Sequence, residues 1–211
     1  MRQAKLNLGC GRNLIEGWIN VDNSPSAVLA KLPLLHTIAQ QLQSGQANSK
    51  QAPPPWSNDI IFHDVTRGLP YSTRSIEKIY SSHMLEHLGR EEGEAVIREC
   101  FRVLKAGGIM RLVVPDLVFH TRRYLERVAQ TGETDRGPHD DFLHNIYGAY
   151  LNRRRKGAYH RYMYDRPTLC TLLRGAGFRQ LVQQNYQVSL DSELAQLDSR
   201  PHESLHIDAL K

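Results

Sequence analysis

The segment Ser81-Ser82-His83-Met84-Leu85-Glu86-His87 sets two imidazoles and a carboxylate close together at the end of an apolar run. Histidine is the side chain whose ordinary pKa lies near neutrality, so His83 can take a proton from an oxygen or nitrogen nucleophile. It can equally cap or pack at the entry of the helix that follows. The same residues fit the H-x-x-E-H zinc pattern. That pattern asks for a metal-binding helix and a distant third ligand, whereas here it falls at a strand-to-helix junction. Glu86 and His87 are therefore read as fixing the junction by hydrogen bonds, and no metal site is assigned. Further on, His139, His144, Tyr147, Tyr150, Tyr159, His160, Tyr162 and Tyr164 join aromatic faces to polar tips. Such a surface suits a sugar or other polar metabolite, or it is a helix pair packing its rings on a sheet. His160 is the second catalytic candidate, with Asp116, Arg200 and Glu203 as candidates for the rim of an acceptor pocket.

A ligand site of another kind is suggested near the start. Lys5-Leu6-Asn7-Leu8 opens straight into Gly9-Cys10-Gly11. Without a Cβ, Gly9 and Gly11 reach φ > 0 and let a ligand approach the backbone. In doubly wound α/β domains such turns build nucleotide-type sites at the carboxyl ends of parallel strands; elsewhere they are only tight turns. Cys10 is read as a small residue that fits the turn rather than as a reactive thiol. A second apolar run, Trp18-Ile19-Asn20-Val21, ends at Asp22, with Asn23 beside it. An ionised Asp only accepts, so it can take both hydroxyls of a ribose; it can also cap the turn before Pro25. Gly9 and Asp22 are about thirteen residues apart, short of the ~20 of the dinucleotide fingerprint, which counts against a nicotinamide cofactor.

The elements that must position these groups follow from the pattern of the chain. Strands are expected over 4–8, 18–21, 59–63, 76–82 and 109–114, with late strands at 178–188 and 204–210. Helices are expected over 90–105, stopped by Gly107-Gly108, and over 117–131 and 139–154. Asp165 should cap a helix that ends at Gly177. Alternating strands and helices mean a mainly parallel sheet. Residues 24–57 read as an insertion whose second half is rich in Gln, Ser, Ala and Pro and cannot bury much. With 211 residues, 40% hydrophobic and 23% charged, the chain reads as a single domain over 1–211. Its three cysteines are widely spaced, so no disulfide framework is indicated. No apolar run is long enough to span a membrane, and a cytoplasmic protein is expected. The net charge of +5 and the run Arg153-Arg154-Arg155-Lys156 permit a nucleic-acid partner without favouring one over a solvated loop or an acidic small substrate.

Taken together, these segments resemble the class I S-adenosylmethionine-dependent methyltransferases, and within them small type 11-like methyltransferases associated with sugar and cell-surface polysaccharide pathways. The matching stretches are Leu6–Gly11, Gly17–Asp22, His63-Asp64-Val65, Ser81–His87, Arg102–Gly108 and Val114-Pro115-Asp116. The resemblance implies a Rossmann-like, doubly wound α/β sheet of seven strands with an antiparallel last strand, and a substrate-side helical segment at about 117–165. It also implies S-adenosylmethionine as cofactor. Gly9, Cys10 and Gly11 would then pass under its methionine portion, with Asn7 where many relatives carry an acid. Asp22 and Asn23 would meet the ribose, Asp64 and Val65 the adenine, and Ser81, Ser82 and His83 the methionine side and the mouth of the acceptor site. The activity implied is methyl transfer to a small polar acceptor, at an oxygen of a sugar or related metabolite. RNA or protein methylation, or cofactor binding without transfer, are the alternatives.

Overall fold

The computed structural model describes residues 4–30, 57–131, 135–148 and 159–211. Most of the expected insertion, Tyr150 and the basic run at Arg153 lie outside the described residues. Among the described residues the strands are β1 (Ala4–Leu8), β2 (Ile19–Asp22), β3 (Ile61–Phe62), β4 (Ile76–Ser82), β5 (Leu104–Pro115), β6 (Gln180–Gln184) and β7 (Ser204–Leu210). The helices are α1 (Pro25–Ala30), α2 (Arg90–Val103), α3 (Leu117–Thr131), α4 (Gly137–Tyr147), α5 (Arg166–Ala176) and the single turn α6 (Ser192–Ala195). The strands form one sheet in the order β3-β2-β1-β4-β5-β7-β6. β1 to β5 run parallel, and β7 is antiparallel to both β5 and β6.

Side chains alternate across the sheet, so each strand feeds two layers. On one face Leu6 and Leu8 of β1 and Met110, Leu112 and Val114 of β5 pack against Val96, Ile97, Cys100 and Val103 of α2 and Leu169 and Leu173 of α5. On the other face Trp18, Tyr80, Ile109 and Val113 gather around Leu194 of α6. Each fully buried Leu, Ile, Val or Met among them contributes about 1.5–3 kcal/mol. Asp165 caps α5 by accepting the Thr168 amide at 2.9 Å, and Gly177 closes it at φ 113°.

The sequence expectation for Gly107-Gly108 is corrected. Helix α2 ends at Val103 and β5 starts directly at Leu104, so the two glycines lie inside a strand. The register of β4 against β5 jumps here, from Ile76 opposite Leu104 to Lys78 opposite Ile109. Gly107, at φ 75°, makes the bulge that absorbs the extra residues. β3 is also shorter than expected, at two residues. Among the described residues no helix is long and apolar enough to cross a membrane.

Candidate active site

Parallel strands bring the ends of β1, β2, β4 and β5 to one edge, and the candidate residues collect there. The turn after β1 is held by two amides, Gly9 and Cys10, that donate to the Val21 carbonyl at 2.9 and 3.1 Å. Gly9 and Gly11 sit at φ 67° and 54°. A Cβ at Gly9 would fall 2.3 Å from Cγ of Met84, whereas one at Gly11 would meet nothing described within 4 Å. Gly9 is thus pressed against the exit of β4, while Gly11 keeps open space above it.

Asp22 joins the turn to the next strand. Its Oδ2 accepts the Gly11 amide at 2.8 Å and its Oδ1 the Ser24 amide at 2.7 Å. It is therefore both a turn cap and a carboxylate with capacity to spare, since two of its roughly four lone-pair sites remain. That remaining capacity, on a half-buried side chain beside an open glycine turn, fits a ribose diol. Asn23 is exposed next to it. The His63 amide donates to the Asp22 carbonyl at 3.1 Å, which draws Asp64 towards the same edge. Asp64 caps the short turn Val65–Arg67, accepting the Thr66 amide at 3.1 Å and its hydroxyl at 2.7 Å. The Thr66 hydroxyl is the main reason the Asp64 carboxyl is held below its ordinary value. Val65 is buried in the core.

A cleft of about 260 Å³ opens over the turn, lined by Asn7, Gly9, Cys10, Asn13, Leu14, Ile15, Tyr80, Ser82, His83 and the stretch containing Gln196, Leu197, Ser199 and Arg200. Asn7 is buried, and its amide donates to the Asn13 carbonyl and the Asn20 side chain at 3.0 and 2.9 Å. It braces the turn from below. Cys10 is buried too, and burial pushes its thiol up to about 12, so it stays protonated and inert. Gly11, Asp22, Asn23, Asp64, Val65 and Ser81 are outside the lining of this cleft. A larger cavity of about 570 Å³, lined by Arg90, Tyr162 and Leu172 among others, lies along the α2–α5 seam, away from the strand ends.

His83 leaves β4 at φ 52°, a region that non-glycine residues seldom occupy. Its amide donates to the Val113 carbonyl at 2.9 Å, which fixes the backbone. Its ring is held at Nε2, 2.8 Å from Oγ of Ser204, and its Nδ1 lies 3.3 Å from Oε1 of Glu86. His160 lies across the Leu85–His87 turn. Its ring meets that of His87 edge-on at 5.2 Å, and burial holds its pKa below the ordinary imidazole value. Glu86 fixes the junction through its backbone carbonyl, which accepts the Arg161 and Tyr162 amides at 2.7 and 3.2 Å, and not through its side chain: among the described residues neither carboxylate oxygen has a hydrogen-bond partner. His87 does so through its side chain, its Nδ1 lying 3.0 Å from the Tyr159 carbonyl.

The ring-rich segment divides. Tyr164 is fully buried on the sheet side, Tyr147 and Tyr159 are exposed, and His139 is exposed beside Asp140. Arg200 lines the cleft, and the Glu203 carbonyl accepts the Asp116 amide at 2.9 Å. Sequence reasoning missed Ser204, Gln196 and Leu197. They belong to β7 and the loop before it, far along the chain, and carry no motif.

The comparisons with known proteins bear on the fold and the family. A family model described as a methyltransferase domain matches residues 6–112, the span that contains the glycine turn, Asp22 and His83. A SAM-dependent methyltransferase from Archaeoglobus fulgidus is 15% identical at a TM-score of 0.52, covering 99% of this chain and 86% of that one. One from Methanosarcina mazei is 16% identical at 0.53, covering 100% and 93%, and one from Mesorhizobium loti is 16% identical at 0.52, covering 100% and 91%. At such identities the likeness is one of fold. No curated protein sequence matches the chain. The matched family model, together with the glycine turn and the acid at the tip of β2, establishes that the chain belongs to the class I S-adenosylmethionine-dependent methyltransferases, enzymes whose cofactor is S-adenosylmethionine.

Proposed function

We propose that this enzyme methylates a small polar acceptor, at an oxygen of a sugar or related metabolite, with His83 taking the acceptor's proton. The observation that carries the reading is the placement of His83. Its ring stands at the wall of the cleft above the glycine turn, held by Ser204 and beside the Glu86 carboxylate. When bound, S-adenosylmethionine supplies a methyl group already activated by its sulfonium. The chain's task is then to align acceptor and methyl and to receive a proton. In this reading Gly9, Cys10 and Gly11 support the methionine portion, braced by Asn7. Asp22 and Asn23 hold the ribose, and Asp64 with the Val65 backbone meets the adenine. Ser81 and Ser82 shape the floor below His83, and His160 stands on the acceptor side. The run at Arg153 on which an RNA or protein acceptor would rest lies outside the described residues, while the half-buried imidazoles around Glu86 favour a small polar acceptor.

The test is formation of S-adenosylhomocysteine against a panel of free and nucleotide-linked sugars, with tRNA and peptide substrates alongside. Turnover on a sugar that H83A removes supports the proposal. Methylation of tRNA or peptide with no sugar turnover would refute it.

A further inference from the structure

Glu86 is fully buried, and its carboxylate meets no donor among the described residues. A carboxylate out of water is retained where a proton, a cation or a set of N–H groups compensates it. The nearest imidazole nitrogen, Nδ1 of His83, is 3.3 Å from Oε1 but not aligned to donate. The Arg161 and Tyr162 amides, at 2.7 and 3.2 Å, serve the Glu86 backbone carbonyl and leave its side chain alone.

What surrounds that carboxylate is a set of Lewis bases. Glu86, His87 and His160 each offer a donor atom, and these atoms all lie within 4.8 Å of one another. Nδ1 of His87 is 3.0 Å from the Tyr159 carbonyl, a contact that only an N–H can make, which in the neutral ring puts the lone pair on Nε2. This is the outer hydrogen bond that orients a ligating histidine. Nδ1 of His160 is buried and, among the described residues, has no partner. The backbone holds His160 in place through its amide, which donates to the Tyr147 carbonyl at 3.2 Å.

We propose that Glu86, His87 and His160 bind a divalent first-row transition metal ion, with zinc the best match to two imidazoles and a carboxylate that leave a coordination position open. Bonds of ~2.0–2.2 Å set tetrahedral ligand atoms about 3.3 Å apart. The three donor atoms, all within 4.8 Å of one another, must draw together to reach that spacing. The set is not that of the H-x-x-E-H pattern, because His83 is outside it and Glu86 serves as a ligand. For the methyl transfer proposed above, an ion here would stand beside His83 and polarise an acceptor hydroxyl. That consequence rests on the proposed function; binding of the ion does not.

The test uses full-length, tag-free protein, stripped with chelator and titrated with zinc chloride by calorimetry, with retained zinc counted by elemental analysis. One ion per chain is expected, with affinity at least tenfold weaker in H160A and in E86Q and unchanged within about twofold in H139A, whose ring is exposed. Circular dichroism checks the fold of each variant; if E86Q does not fold, H160A and H87A decide. A folded wild type that binds no zinc, or wild-type affinity in both H160A and H87A, overturns the site. S-adenosylmethionine binding is measured on the same samples. Zinc binding without methyl transfer therefore counts against the proposed function and leaves the metal site standing.

Discussion

The Asp22 carboxylate accepts the Gly11 amide at 2.8 Å, so the acid at the tip of β2 also pins the glycine turn after β1. The two halves of the proposed cofactor site are thereby one mechanical unit. Removing the carboxylate in D22A takes away the proposed ribose acceptor and frees the turn. S-adenosylmethionine and S-adenosylhomocysteine should bind at least tenfold more weakly, some 1.4 kcal/mol. Calorimetry on wild type and D22A decides it, and equal affinities would exclude Asp22 from the site.

Gly9 and Gly11 should respond differently to alanine. In both, alanine is strained by the left-handed backbone at a cost of about 1–2 kcal/mol. At Gly9 the new Cβ also lies 2.3 Å from Cγ and 2.5 Å from Cβ of Met84, atoms too near the backbone to swing away. Overpacking of this kind adds ~1–3 kcal/mol. Urea unfolding should rank G9A well below G11A; equal midpoints would mean that the Met84 contact yields freely.

His83 should matter to turnover more than to cofactor affinity. Loss of a positioned base costs ~10²–10⁴ in kcat. H83A should show that loss on a competent acceptor while its S-adenosylmethionine affinity changes by less than about threefold. H83N serves as the backbone control, because Asn tolerates the φ of 52° that this position adopts. A kcat in H83A within a few-fold of wild type would leave His83 a packing residue.

Arg111 braces the wall of the cleft from inside. It is fully buried, donates to Asp208 at 2.9 Å and pairs with Asp198, and Asp198 in turn accepts the Gln187 amide at 2.9 Å. The loop so anchored carries Leu197, whose carbonyl accepts the Tyr80 hydroxyl at 2.9 Å. R111M strands two buried carboxylates and should cost about 3–5 kcal/mol. Chemical denaturation reads the loss, and a midpoint near wild type would mean that the two acids find other partners.

Stability should fall in two stages as pH drops. Burial holds the His120 and His206 imidazoles below their ordinary 6.5, so the folded chain binds fewer protons than the unfolded one. Their contribution is complete above 6.5 and is lost as pH falls below it. Glu193 is held down to about 2, chiefly by the Lys5 ammonium with help from Lys78 and the Trp18 indole. Its contribution is present above its ordinary 4.5 and is lost as pH falls through about 2. Melting temperatures should decline first below pH 6.5 and again below 4.5, and E193Q should remove part of the second decline only. An unchanged second decline in E193Q would place that acid sensitivity elsewhere.

Much of the site was legible because the residues that build it sit where strands end. The apolar run into Gly9-Cys10-Gly11 and the run into Asp22 mark β1 and β2 with their tips, since backbone freedom and hydrophobic pattern are local properties. The Asp165 cap and the Gly177 stop of α5 are legible for the same reason. The Gly107-Gly108 pair misled, because a glycine pair reads the same as a helix stop and as a bulge. Only the pairing of β5 with β4, and the Gly107 amide donating to the Lys211 carbonyl at 3.1 Å, separate the two.

The sequence by itself determined the order of strands and helices, the family, and the glycine turn after β1 with the acid at the tip of β2. These depend on side-chain periodicity and on residues within a few positions of one another. Tertiary structure alone decided what stands around His83 and Glu86. Ser204 reaches His83 from β7 because the last strand folds back antiparallel beside β5, and His160 reaches the Glu86 turn from the segment after α4. Whether a buried carboxylate meets donors or bare lone pairs depends on contacts between distant segments, and no local pattern of residues encodes it.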